Sequence, residues 1–167
     1  MKKGISIIII LAVMVLISGC ASKQSLPNTK NYSANGLSFT YPGNWSEMDT
    51  TFYQSVLGDK GQLLVVVGDG SNSAFGVAKL KDEKNQTLKD LVITYKLSLK
   101  SNGTEYVSEK PVTIGAVKGY EITVKASGNY FSSILFIKNN SSYLVVFESQ
   151  NNDQQTFDQI VKSLNVN

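Results

Sequence analysis

The sequence predicts an α+β fold: a central antiparallel β-sheet flanked by helices, an α/β/α sandwich, in a single domain behind a signal peptide. Three observations carry that prediction. Leu63 to Val67 and Tyr143 to Phe147 are apolar without alternation, as strands covered on both faces are. Leu88 to Ser101 and Phe157 to Leu164 repeat their apolar residues at helical spacing. The second half otherwise runs as short strand-like segments joined by polar turns, the pattern of a meander.

Residues 1–19 read as an address. Lys2 and Lys3 give a positive start, and Ile5 to Ile17 is an apolar run of thirteen residues interrupted only by Ser6. A secretory core needs roughly 7–15 apolar residues and a membrane span about 20. Leu16-Ile17-Ser18-Gly19-Cys20 ends the run with small residues before the only cysteine. That pattern is a lipobox: Leu16, Ile17, Ser18 and Gly19 form the signal-peptidase recognition site, and Cys20 becomes the lipidated amino terminus. The expected location is the outer face of the cell membrane, held by lipid on Cys20. An ordinary secretory signal ending near Ala21 and an uncleaved anchor helix from Lys3 to Cys20 are the competing readings.

Residues 20–35 are expected to form the lipidated cysteine and a flexible tether, because 21–35 are polar and aperiodic. Residues 36–167 are expected to form the domain. Leu37, Phe39 and Tyr41 alternate with Ser38 and Thr40, giving an opening strand that Pro42-Gly43 ends. Trp45, the only tryptophan, is expected to close one end of the core. Thr51 to Val56 reads as a second strand, followed by a hairpin turn at Gly58-Asp59-Lys60-Gly61. Leu63 to Val67 is a buried central strand, and Ala74 to Leu80 follows the polar loop Asp69 to Ser73.

Thr87 and Asp90 are spaced as a capping box, and Leu88, Leu91, Val92, Tyr95 and Leu99 share one helical face up to the stop at Asn102-Gly103. Ile93 and Leu97 fall opposite that face and are a candidate partner-binding patch. Thr104 to Glu109 and Pro111 to Ile114 read as two short strand segments. Tyr120 to Ala126 alternates cleanly, Gly128-Asn129 is a turn, and Tyr130 to Ile137 and Tyr143 to Phe147 complete the meander. Asn152-Asp153 then offers a cap for a closing helix with Phe157, Ile160, Val161 and Leu164 on one side.

Composition removes several functions. The chain has no histidine, so neither a Ser-His-Asp or Cys-His nucleophile nor a His-ligated metal site can be built. All sixteen basic residues are lysine, and they are scattered; the arginine forks that grip phosphates and guanines are missing, so no nucleic-acid partner is expected. Without residues 1–19, fourteen lysines face thirteen acids, a net charge near +1. Asp69-Gly70-Ser71-Asn72 lacks the spacing of a calcium loop and reads as a polar turn. No cofactor, metal or catalytic residue is expected.

The string Gly36-Leu37-Ser38-Phe39-Thr40-Tyr41-Pro42-Gly43-Asn44-Trp45 resembles the opening of PsbP-like domains, in the Mog1/PsbP-like superfamily. The later order is similar too, including Gly-x-x-x-Gly-Tyr at Gly115 to Tyr120 and a closing amphipathic helix. The resemblance implies a central antiparallel sheet with helices on both faces. It also implies a non-enzymatic protein of the kind that docks on larger assemblies, such as photosystem II or a small GTPase. Tyr41, Pro42 and Trp45 match as fold signature and carry over no functional role.

The function expected is therefore a membrane-anchored, extracytoplasmic lipoprotein acting as a non-catalytic binding or assembly module, with a protein partner at the cell envelope. The alternatives are a carrier of a small apolar or aromatic ligand and, with less support, an Asp/Glu-based hydrolase. An apolar cavity of several hundred cubic ångströms would favour the carrier, and two carboxylates about 5–10 Å apart in a pocket would favour the hydrolase.

Overall fold

The computed structural model describes residues 28–81, 86–101 and 104–167. In chain order these form β1 (Thr29–Ala34), β2 (Leu37–Pro42), β3 (Ser46–Glu47), α1 (Thr51–Leu57), a 3-10 turn (Gly58–Lys60), β4 (Gly61–Gly68) and β5 (Ser73–Leu80). Then follow α2 (Leu88–Ser101), β6 (Glu105–Ile114), β7 (Val117–Ala126), β8 (Asn129–Lys138), β9 (Ser141–Ser149), α3 (Gln154–Ser163) and β10 (Asn165–Val166). A seven-stranded sheet has the order β3-β4-β5-β9-β8-β7-β6, and a three-stranded sheet the order β1-β2-β10. Every pairing is antiparallel.

Period-2 geometry sends alternate residues of each strand to opposite faces. On one face of the large sheet Phe75, Val77, Ile134, Phe136, Val145 and Phe147 form the main core with Leu37, Phe39 and Tyr41 of β2 and Phe157, Ile160 and Leu164 around α3. Aromatic contacts run through it, with ring centres 5.2 Å apart for Phe39 and Phe75 and 5.4 Å for Phe147 and Phe157. On the other face Ile122, Val124 and Leu135 meet Leu91 of α2, with Val92, Tyr95 and Leu99 packed alongside. Burying Leu91 alone stabilises this joint by about 1.5–3 kcal/mol. Both faces thus carry a helix, but α3 shares its face with a second sheet, which corrects the expectation of a single sheet between helices.

Several elements differ from the sequence reading. Thr51 to Val56 is helical. Its β-branched and aromatic letters suit a strand, but Thr51 N–H bonds Asp49 Oδ1 and Gln54 N–H bonds the Thr50 carbonyl, which starts a helix instead. Gly58 to Gly61 is accordingly a helix-to-strand connection and not a hairpin turn. Within the stretch expected to be tether, Thr29–Ala34 is a strand paired along all of β2. It looked like linker because it is an edge strand whose one buried side chain is Tyr32, stacked on Phe39 at 5.1 Å. The two segments expected around Pro111 are one ten-residue strand with a register shift between Tyr106 and Ser108. Pro111 is tolerated because β6 is the sheet edge, where its missing N–H breaks no ladder.

Other details follow the sequence closely. Thr87 Oγ1 accepts from Asp90 N–H at 3.2 Å and Asp90 Oδ2 accepts from Thr87 N–H at 3.2 Å, the reciprocal bonds of a capping box. Asp153 caps α3 by accepting from Thr156 N–H. The β7–β8 hairpin turns at Ser127 and Gly128, one residue earlier than read, and the β8–β9 hairpin at Asn139 and Asn140. All four have positive φ, which two-residue hairpin loops require. Trp45 is buried and stacks on Phe147 at 6.2 Å.

Candidate functional site

β5 has a large side and a small side. Phe75 and Val77 point into the main core, so Ala74, Gly76 and Ala78 point the other way. On that side α2 lies over β7 and β8, and α1 lies against β4. Among the described residues, no helix lies on the sheet surface between them, over β5 and β9. The result is an open apolar trough of about 960 Å³ between α1 and α2. Its floor is Gly76, Ala78, Leu144 and Val146, with Phe131 and Leu135 beside α2. Tyr53 and Leu57 form one wall, and Leu91, Thr94, Tyr95 and Ser98 the other.

The walls are fixed by hydrogen bonds. Tyr95 Oη and Ser133 Oγ are 2.7 Å apart and tie α2 to β8, and burial raises the Tyr95 hydroxyl above its ordinary pKa. Gln54 ties α1 to the start of β4: its Nε2 donates to the Gly58 and Gly61 carbonyls, and its Oε1 accepts from Leu63 N–H at 2.7 Å. Nothing in the backbone demands glycine at 76. A Cβ there would meet the Val65 carbonyl oxygen and Val66 Cγ2 at 3.5 Å, ordinary contact distance. The small residue deepens the floor.

The charged groups of the trough sit at its ends. Lys60, Lys81 and Asp59 border one end, where Lys81 N–H bonds the Lys60 carbonyl. Glu148 borders the other and accepts from Asn129 Nδ2 at 2.6 Å. Gly61 pairs with Leu80 and Glu148 with Ala74. Asp59 and Glu148 are therefore roughly 20 Å apart along β5, too far to serve as the carboxylate pair of a glycoside hydrolase, which needs about 5–10 Å.

A second polar group lies on the core face. Glu121 is 3 % exposed, accepts from Gln154 Nε2 at 3.0 Å and lies 3.4 Å from Lys110 Nζ. Burial pushes its carboxyl above the ordinary range, and Lys110 opposes that shift. Ser132 Oγ bonds Gln154 Oε1 and lies 3.0 Å from Thr123 Oγ1. The group joins the start of α3 to β7 and β8.

Of the residues singled out in the sequence, Leu16, Ile17, Ser18, Gly19 and Cys20 lie outside the described residues. Ile93 and Leu97 are 46 % and 63 % exposed on the outer side of α2, away from the trough. Tyr106 and Val107 of β6 are also exposed apolar residues, and Lys96 spans the gap between the elements, 5.6 Å over the Tyr106 ring and 2.6 Å from Glu109. In the Asp69 loop, Oδ1 accepts from the N–H groups of Ser71, Asn72 and Ser73 at 2.7–3.0 Å. Burial alone would raise the Asp69 carboxyl, but those bonds together hold it below the usual range. Among the described residues no group of acids or cysteine could hold a metal ion, and no helix is long and apolar enough to cross a membrane.

The trough was missed because its parts come from distant strands. One signal was available: Ala74-Phe75-Gly76-Val77-Ala78 alternates small with large, which marks a strand with one packed face and one hollow one.

A model of the PsbP-like protein family matches residues 7–166. No curated protein sequence matches the chain. Among solved structures, the cyanobacterial PsbP (CyanoP) of Synechocystis is similar with a TM-score of 0.63 at 15% identity, over 91% of this chain and 99% of that one. A Pseudomonas aeruginosa protein of unknown function, PA94, described as a putative regulator, gives 0.51 at 8% identity, over 81% and 95%. A Bacteroides thetaiotaomicron protein gives 0.50 at 17% identity, over 83% of this chain and 48% of that one. At these identities the likeness is one of fold.

Proposed function

The chain belongs to the PsbP-like protein family, and from that premise we propose that it is a non-catalytic binding module, tethered by lipid on Cys20 to the outer face of the cell membrane, whose trough between α1 and α2 holds an apolar ligand. The observation that carries the proposal is the trough: about 960 Å³, floored by aliphatic and small residues, with its charges confined to the ends. That volume lies in the range of ligand sites, about 300–1,000 Å³. The absence of histidine and the separation of Asp59 from Glu148 support a binding role over hydrolysis. The tether rests on the basic start, the thirteen-residue apolar run and the small residues before Cys20.

A hydrophobic fluorophore tests the trough directly. The full chain should bind it, and Gly76→Phe, which places a ring on the floor, should weaken binding at least about tenfold while keeping the melting temperature, since loss of about 1.4 kcal/mol is a tenfold change. Unchanged binding would remove the trough from the function. Cys20→Ala should shift the protein from the membrane to the soluble extracytoplasmic fraction.

A second reading is favoured by the exposed patch of Ile93, Leu97, Tyr106 and Val107, which lies apart from the trough and suits docking on an envelope protein. Ile93→Lys with Leu97→Lys should leave folding and fluorophore binding intact and reduce crosslinking to that partner.

A further inference from the structure

The trough is not symmetric along its length, and its asymmetry specifies a ligand. Resting on the reading of the trough as a binding site, we propose that the occupant is a single-chain amphiphile with an anionic head, lying along β5 with its head at Lys60 and Lys81 and its tail toward Ala74. Ala74 to Leu80 spans six strand steps, roughly 20 Å. A bilayer's hydrocarbon core is about 30 Å thick, so one acyl chain is about 15 Å long. One chain therefore fits the floor with space left for a head.

Charge decides the direction. Among the described residues, two exposed lysines border the opening at the Leu80 end against one acid, Asp59. At the Ala74 end Glu148 stands across the strand pair from Phe131, held in place by Asn129. A carboxylate or phosphate head is attracted at the first end and repelled at the second. The floor between offers only aliphatic surface and glycine, with no polar side chain from Gly76, Ala78, Leu144 or Val146, so polar groups of a ligand that face the floor would lose their hydration without replacement.

Photoreactive palmitate and its neutral methyl ester, presented to the full chain in phosphatidylcholine nanodiscs, separate the parts of this proposal. Both should label peptides carrying Phe131 and Leu144. The double variant Lys60→Gln, Lys81→Gln should reduce palmitate labelling about 2–30-fold, the range for two exposed charge contacts, and leave ester labelling unchanged. Raised salt should reproduce the loss. Equal labelling of palmitate by wild type and the lysine variant overturns the head assignment while the trough reading stands. Labelling that Gly76→Phe and Ala74→Leu both fail to reduce overturns the trough itself; the second variant covers a folding defect in the first.

Discussion

Glu121 shows how one residue's surroundings set a pH dependence for the whole fold. It is nearly fully buried between β7 and α3, and desolvation raises its carboxyl above the ordinary value of about 4.3 despite Lys110. The folded state therefore holds the proton more tightly than the unfolded chain. Stability should fall as pH rises from about 4.3 through the higher folded value, and stay reduced above it. Asp69 has the opposite sign: its carboxyl is held below the ordinary range, so its contribution is present at neutral pH and is lost only as pH falls through the folded value. Glu121→Gln keeps an acceptor for Gln154 Nε2 and removes the charge. It should raise stability near neutral pH, leave stability near about pH 4 little changed, and flatten the slope between them. Urea melts at both pH values check this. A variant less stable at neutral pH would show that the contact with Lys110 outweighs the cost of burial.

The elements that sequence pattern revealed and those it hid differ for physical reasons. Leu63 to Val67 was legible because a strand covered on both faces has apolar residues at every position, and α2 because its Thr87–Asp90 cap is written three letters apart. Tyr143 to Phe147 has the same unbroken pattern, but its Leu144 and Val146 floor the open trough, so one of its faces is only half-covered. β1 was illegible because an edge strand needs only Tyr32 inside. β10 is two residues long, and its carbonyl at Val166 is held by Lys138 Nζ from a distant strand. α1 was misread because its residues suit a strand and its helical state is fixed by bonds from its own Gln54 to residues that follow the helix. That side chain contributes three hydrogen bonds, one to Gly58 of the 3-10 turn and two to Gly61 and Leu63 of β4. Gln54→Ala should cost about 1–2 kcal/mol and speed hydrogen exchange selectively in α1 and the start of β4. Exchange that rises equally in β8 would mean that α1 is integral to the global fold and not a separately anchored wall of the trough.

At the scale of the molecule, the early start of β1 changes what the proposed anchor can do. With the tether read as ending at residue 35, a domain on Cys20 would tumble freely. With β1 beginning at Thr29, eight residue steps separate Cys20 from Asn28, a reach of at most about 26–29 Å. Asn28 is bonded to Gly43 beside Trp45, and Trp45 stacks on Phe147 near the end of β9. Ser46, Gly68, Ala74 and Glu148 pair across the sheets at that same end. A lipid on Cys20 therefore holds this end toward the bilayer and points the Lys60–Lys81 end away from it. The trough then runs outward from the membrane, with the proposed tail end nearest the lipid. Asn151 and Asn140, both exposed, flank the two ends of β9, a strand about 26 Å long, and report the orientation. Because the proposed lipid would occupy the one native cysteine, Asn151→Cys and Asn140→Cys could each be spin-labelled alone on vesicles containing a nickel-chelating lipid. The label at 151 should relax faster than the label at 140, and a Gly-Ser insertion after Ser25 should erase the difference. Equal relaxation without the insertion would show that the anchor leaves the domain free to turn.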